Sequence, residues 1–234
     1  MNRLQSELHR LYLCDADSPS SAPIVAPDRV RAMVLELTMP PSWPALAGVW
    51  HGVQTDLELP APAIAVSGTD GLQLWFSLAE PIEIARAQEF LEGLRLRYLP
   101  DVDVRRIRLA LHARPMPTRH EPSGNWAAFV APDLVPIFAE TPWLDIEPNE
   151  DGQAALLSRL LSIKATAFDS ALEKLTVVDA SVPVAVATAV KAVAPHVTTG
   201  GDPKRFLLRV MNDDSVGLAL RIEAAKALLP YSHD

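Results

Sequence analysis

Apolar and polar positions along this chain change period several times, and each change marks an element. Leu4, Leu8 and Leu11 recur at helical spacing and predict a short amphipathic helix over residues 2–13. Residues 14–28, rich in Ser, Pro, Ala and Asp, predict a connector. A run of strand-forming residues over 31–38 stops at Pro40 and Pro41. Ser42 then predicts the N-cap of a helix reaching Gln54. Pro44 falls in its first turn, and Trp43, Leu46, Val49, Trp50 and Val53 are its apolar positions. An apolar run over 61–66, the polar corner Ser67-Gly68-Thr69-Asp70-Gly71 and a second run over 72–78 predict strand, tight turn, strand.

Glu80-Pro81 predicts the start of a helix that runs to Tyr98 and ends before Pro100. A strand is expected over 102–111, a proline-rich loop over 113–125, and a short strand over 126–131. Residues 133–150 read as irregular, and 151–174 as one helix carrying Leu156, Leu157, Leu160, Leu161, Ile163, Phe168 and Leu172. An Ala/Val-rich linker follows over 176–201. Asp202 and Pro203 then predict the start of a helix to Met211, and a second helix over 218–229 completes a helical hairpin. The expected organisation is an N-terminal helix and loop (1–28), an α+β domain with a trailing helix (29–175), the linker (176–201) and the hairpin (202–234).

The 234 residues carry a net charge of −8 and 49% hydrophobic content, which describes a globular protein with no chain-wide basic coat. A single cysteine, Cys14, excludes an internal disulfide framework and a cysteine-cluster metal site. Neither an apolar signal core nor a membrane-length apolar run is present, so a soluble cytoplasmic protein is expected. Neither G-x-x-x-x-G-K-[ST] nor G-x-G-x-x-G occurs, and the six histidines show no metal-ligand spacing. One local charge run stands out: Arg105, Arg106, Arg108, Arg114 and Arg119 fall in fifteen residues that contain no acid. Such a cluster suits a phosphate backbone, with Trp75 or Trp126 available to stack a base. Strand alternation would put Arg106 and Arg108 on one face and Arg105 on the other.

The order strand, helix, strand–turn–strand, helix, strand resembles the archaeo-eukaryotic primase superfamily, which includes primase-polymerases, over roughly residues 30–135. The turn Ser67-Gly68-Thr69-Asp70-Gly71-Leu72-Gln73 matches that family's S-G-x-x-G-x-H, with Gln73 in place of histidine. Glu36-Leu37-Thr38 stands where an acidic D-x-D-like pair would be, and Asp103 in Asp101-Val102-Asp103 where a third acid would be. The resemblance implies a primase-like (RRM-like) mixed sheet with flanking helices. It makes Glu36, Thr38, Gln73 and Asp103 the positions matching the catalytic motifs, with Glu36 and Asp103 as candidate ligands for Mg or Mn. Ser67 joins the five arginines as a candidate phosphate contact. The terminal hairpin resembles helical segments of phage small-terminase-like proteins over residues 206–211 and 221–231.

Two-metal phosphoryl transfer needs hard anionic oxygens around both cations. Thr38 is a neutral ligand, and Gln73 cannot become cationic beside a phosphate. The expectation is therefore a catalytically degenerate primase-polymerase-like protein that binds nucleic acid or nucleotide in a replication or mobile-element system. The alternatives are a weakly active metal-dependent nucleotidyltransferase held by Glu36 and Asp103, or a non-enzymatic assembly subunit. In the latter, residues 202–234 would dock on a protein partner or on a second copy.

Overall fold

The computed structural model describes residues 2–13, 28–121 and 123–179. The hairpin expected over 202–234, and the linker expected over 176–201 from residue 180 onward, lie outside the described residues. The fold is α+β, built on one six-stranded sheet in the order β4-β1-β3-β2-β6-β5. The strands are β1 (Arg29–Thr38), β2 (Ala63–Val66), β3 (Gly71–Glu83), β4 (Ile107–Ala110), β5 (Thr118–Arg119) and β6 (Trp126–Val130). The helices are α1 (Arg3–Tyr12), α2 (Trp43–Thr55), α3 (Ile84–Tyr98), α4 (Glu150–Leu157) and α5 (Ala165–Asp179). Every pairing between named strands is antiparallel, where a mixed sheet was expected. The parallel contact is an isolated bridge between Leu78 and Ile163. The segment from β1 to β4 has the β-α-β-β-α-β order of a split βαβ, ferredoxin-like unit. Strands β6 and β5 extend it beyond β2. No described helix is long and apolar enough to cross a membrane.

Strand alternation divides the core between the two sheet faces. On one face Met33, Leu35 and Leu37 of β1 and Leu72, Leu74 and Phe76 of β3 pack with Leu46 and Val49 of α2, Phe90 and Leu94 of α3, and Phe168 of α5. Phe90 meets Phe76 edge-on at 5.6 Å and Phe168 at 5.1 Å between ring centres. On the other face Val34, Ala65, Trp75 and Phe129 pack with Leu4, Leu11 and Tyr12 of α1 and Ala154 and Leu157 of α4. Tyr12, Trp75 and Phe129 form a ring cluster with centre distances of 5.3–6.1 Å. Both ends of the Gln153 amide in α4 are used: its Oε1 accepts from the Phe129 N–H at 2.8 Å, and its Nε2 donates to the Phe129 carbonyl at 2.9 Å.

Local chemistry sets the boundaries. Asn2 and Gln5 form a reciprocal capping box on α1, and the Ser42 hydroxyl accepts from Ala45 N–H with Pro44 in the first turn of α2. Five expected elements differ: β5 lies within the loop expected over 113–125, α5 continues over 176–179 where the linker was expected to begin, and three further changes have a physical cause. Residues 80–83 continue β3 instead of opening α3, because Val30 and Arg29 pair with Ile82 and Glu83. The register shifts between the Ala32–Ser77 and Val30–Ile82 pairs, and Pro81 falls in that irregular stretch with no partner in β1. The helix expected over 151–174 is broken between α4 and α5. There Ile163 exchanges backbone hydrogen bonds with Ser77 (2.7 Å) and Ala79 (2.8 Å), satisfying the side of β3 that β2 does not reach. The strand expected over 102–111 is shortened to β4, because the Asp103 carboxylate accepts from Arg105 N–H at 2.9 Å and curls 104–106 into a 3-10 turn.

The β2–β3 corner depends on one glycine. Gly68 has φ +80°, and a Cβ there would lie 2.8 Å from the Ala127 backbone nitrogen in β6. Gly48, on the exposed side of α2, has nothing within 4 Å of where a Cβ would sit. Gly68→Ala is therefore expected to destabilise the protein by about 2–4 kcal/mol through positive φ and backbone overlap. Gly48→Ala is expected to stabilise it by about 0.5–1 kcal/mol through helix propensity. Urea denaturation of the two variants checks both signs.

Candidate functional site

Register across the centre of the sheet assembles the polar site. Glu36 of β1 pairs with Gln73 of β3 on one side and with Arg108 of β4 on the other. All three therefore stand in one row, on the face that carries Trp75. Glu36, Thr38 and Gln73 are each only 6% exposed. A buried carboxylate needs donors, and Glu36 has two: Gln73 Nε2 donates to its Oε2 at 3.3 Å, and Arg108 Nη1 to its Oε1 at 3.3 Å. Gln73 is oriented in turn by Trp75, whose Nε1 donates to Gln73 Oε1 at 2.8 Å. Gly71 makes room for the acid, since a Cβ there would lie 2.7 Å from Glu36 Oε1.

The neighbouring corner supplies a second carboxylate. Ser67 Oγ accepts from the backbone N–H groups of Thr69, Asp70 and Gly71 at 3.2, 3.1 and 2.8 Å, which folds the turn on itself. The Ser67 hydroxyl thus holds the hairpin and is spoken for within it. Asp70 emerges from this turn to meet Arg108 with both oxygens, at 3.0 and 3.1 Å. This Asp70–Arg108 pair is not marked by any motif, because it depends on β4 lying beside β1. Only the lack of acids near the arginine run hinted that its partners come from elsewhere.

The remaining candidates are placed as follows. Thr38 donates its hydroxyl to the Arg106 carbonyl at 3.1 Å, fastening the end of β1 to the 3-10 turn. Asp103 caps that turn, five positions before the residue that faces Glu36, so an acid on β4 does not stand beside Glu36; an arginine does. Arg105 and Arg106 lie in the 3-10 turn, outside strand alternation, so the expected sharing of a face between Arg106 and Arg108 does not apply. The Arg106 guanidinium turns back onto the Pro40 carbonyl. Arg105, Arg108, Arg114 and Arg119 are exposed. Arg119 donates to the Gly124 carbonyl at 3.4 Å. Trp75 is 2% exposed and unavailable to stack a base, while Trp126 is half-buried at the junction of β5 and β6.

A small cleft of about 60 Å³, open to solvent, lies over this row. Glu36, Gln73 and Trp75 line it together with Arg108, His112 and Arg114. Burial raises the Glu36 carboxyl above its ordinary value of 4.5; Arg108 and the Gln73 hydrogen bond oppose this, Asp70 adds to it and Arg114 opposes it. Among the described residues no group of three or more His, Cys, Asp or Glu side chains could hold a metal ion. The arrangement can offer cationic donors to an anion at the rim and one buried carboxylate at the floor. The chain matches no family model, and no curated protein matches it in sequence.

A raised carboxyl value means that the folded state favours protonated Glu36. Its stabilising effect is full below the unfolded value near 4.5 and is lost as pH rises through the folded value. Glu36→Gln keeps the Gln73 contact and removes the buried charge. The variant should melt higher than the wild type at pH 7, with the difference shrinking as pH falls through the raised Glu36 value toward 4.5. Thermal melts at matched ionic strength across that range measure it.

Proposed function

We propose that this chain is a catalytically inert, primase-polymerase-like protein that binds single-stranded nucleic acid or nucleotide, in the setting of replication or of a mobile element. The observation that carries the reading is the row Arg108–Glu36–Gln73. Where a two-metal centre would need a second and third acid around Glu36, the neighbours are an arginine and an amide. A cation entering there would compete with the Arg108 guanidinium for both the Glu36 and the Asp70 carboxylates, which disfavours metal-dependent transfer.

Binding is supported by charge placement. Arg105, Arg108 and Arg114 are exposed along the edge strand β4, the turn before it and the loop after it, on a chain whose net charge is −8, while Arg119 lies on β5 at the opposite edge of the sheet. Phosphates drawn to the β4 edge would be repelled by the acidic remainder of the surface, which favours contact along that edge. The aromatic cluster of Tyr12, Trp75 and Phe129 lies under α1 and α4, so base stacking on the sheet contributes little and the affinity should be mainly electrostatic.

The test is fluorescence anisotropy of a labelled oligothymidylate titrated at several salt concentrations. Wild-type protein should bind at low salt and weaken as salt rises. Arg105→Ala/Arg114→Ala should bind several-fold more weakly and show a log–log salt slope smaller by about 1.4, since each lost single-strand phosphate contact removes about 0.7. Absence of wild-type binding at low salt would refute the proposal.

A further inference from the structure

Arg108 is the arginine of its cluster whose fork is held from two sides by carboxylates of the same chain; Arg119 meets one carboxylate, that of Glu121, at 3.9 Å through Nε. Nη1 and Nη2 donate to the two Asp70 oxygens, and Nη1 also reaches Glu36. Two parallel N–H···O bonds to paired anionic oxygens are the geometry in which a guanidinium holds a phosphate as well as a carboxylate. The fork lies at the surface: the Arg108 side chain is 54% exposed and that of Asp70 36%. It also lines the mouth of the cleft, beside His112 and Arg114.

We propose that Arg108 is a latched phosphate subsite, in which Asp70 stands in for a ligand phosphate and is displaced when a nucleic-acid strand binds. This rests on the nucleic-acid reading above. The exchange leaves neither acid stranded. Asp70 Oδ1 also accepts from the Thr69 hydroxyl at 3.1 Å, and Glu36 Oε2 keeps the Gln73 amide. The Asp70 backbone is held by Ser67 Oγ whether or not its carboxylate is engaged, so the hairpin has no need of the ion pair. A buried carboxyl whose charged form is already disfavoured by its surroundings tolerates the loss of Arg108 by taking up a proton. Aspartate therefore sets a threshold: an anion that engages Arg108 must bind the fork better than Asp70 does.

A double-mutant cycle on labelled oligothymidylate binding tests the latch, using wild type, Asp70→Asn, Arg108→Ala and the double variant. Asp70→Asn keeps the side-chain volume and should bind about three- to fivefold more tightly than wild type, the scale of one exposed ion pair. In the Arg108→Ala background the same substitution should change affinity little. A gain of equal size in both backgrounds would reduce the effect to general charge removal and overturn the latch. Wild-type binding with no gain from Asp70→Asn would overturn the latch alone, whereas no binding by either protein would overturn the nucleic-acid reading with it. If Arg108→Ala does not fold by circular dichroism, Arg108→Lys replaces it in the cycle. Lysine keeps the charge and loses the fork, so the Asp70→Asn gain should again fall away.

Discussion

The pairing of β1 with β3 at the centre of the sheet is the constraint on which the rest of this protein depends. Both strands are buried on both faces, so their alternation must satisfy two cores at once. A slip of one residue would turn Leu35 and Leu74 toward α1 and α4, and would carry Glu36 and Gln73 into the core under α2 and α3. The register avoids this by matching apolar to apolar on one face and small, aromatic and polar residues on the other. The polar row is thus a consequence of how the sheet is packed.

That row also explains the composition of the hairpin corner. Gly68 is required where β2 leaves the sheet and passes close to β6, and Gly71 where β3 begins beside the Glu36 carboxylate. Ser67 satisfies three backbone donors at once. A glycine- and serine-rich turn of this kind reads from sequence as a phosphate-binding feature. In the folded chain its donors point inward, and the group it offers to solvent is the Asp70 carboxylate. Burial and hydrogen bonding, more than residue identity, decide whether such a turn faces a ligand.

The electrostatics of the site follow from the same placement. One acid is taken out of water on the sheet and is disfavoured as an anion by burial, while a second sits at the surface on the same arginine. Two carboxylates and one fork form a small network in which Asp70 takes the fork with both oxygens and Glu36 shares it while also holding the Gln73 amide. Of the remaining arginines, Arg105 and Arg114 present their charge to solvent near the β4 edge, while Arg106 is turned back onto the Pro40 carbonyl.

Much of this was legible in the amino-acid order. The helices α1 and α2, the hairpin, β6 and the α+β class follow from apolar period, capping residues and turn chemistry, all set by neighbours within a few positions. Glu36 and Gln73 were also marked as belonging together, though through a resemblance and not through geometry. What the chain order could not decide were properties that arise between distant segments. The break between α4 and α5 exists because β3 needs a backbone partner that Ile163 supplies. The extension of β3 through Pro81 exists because Arg29 and Val30 lie alongside it. Asp103 looks like a strand acid until its own backbone turns under it, and Arg108 looks like one of five equivalent cations until β4 docks against β1. Local sequence fixed which residues could pair, and tertiary register decided which of them did, because a carboxylate acquires its role from whatever donor lies across the next strand.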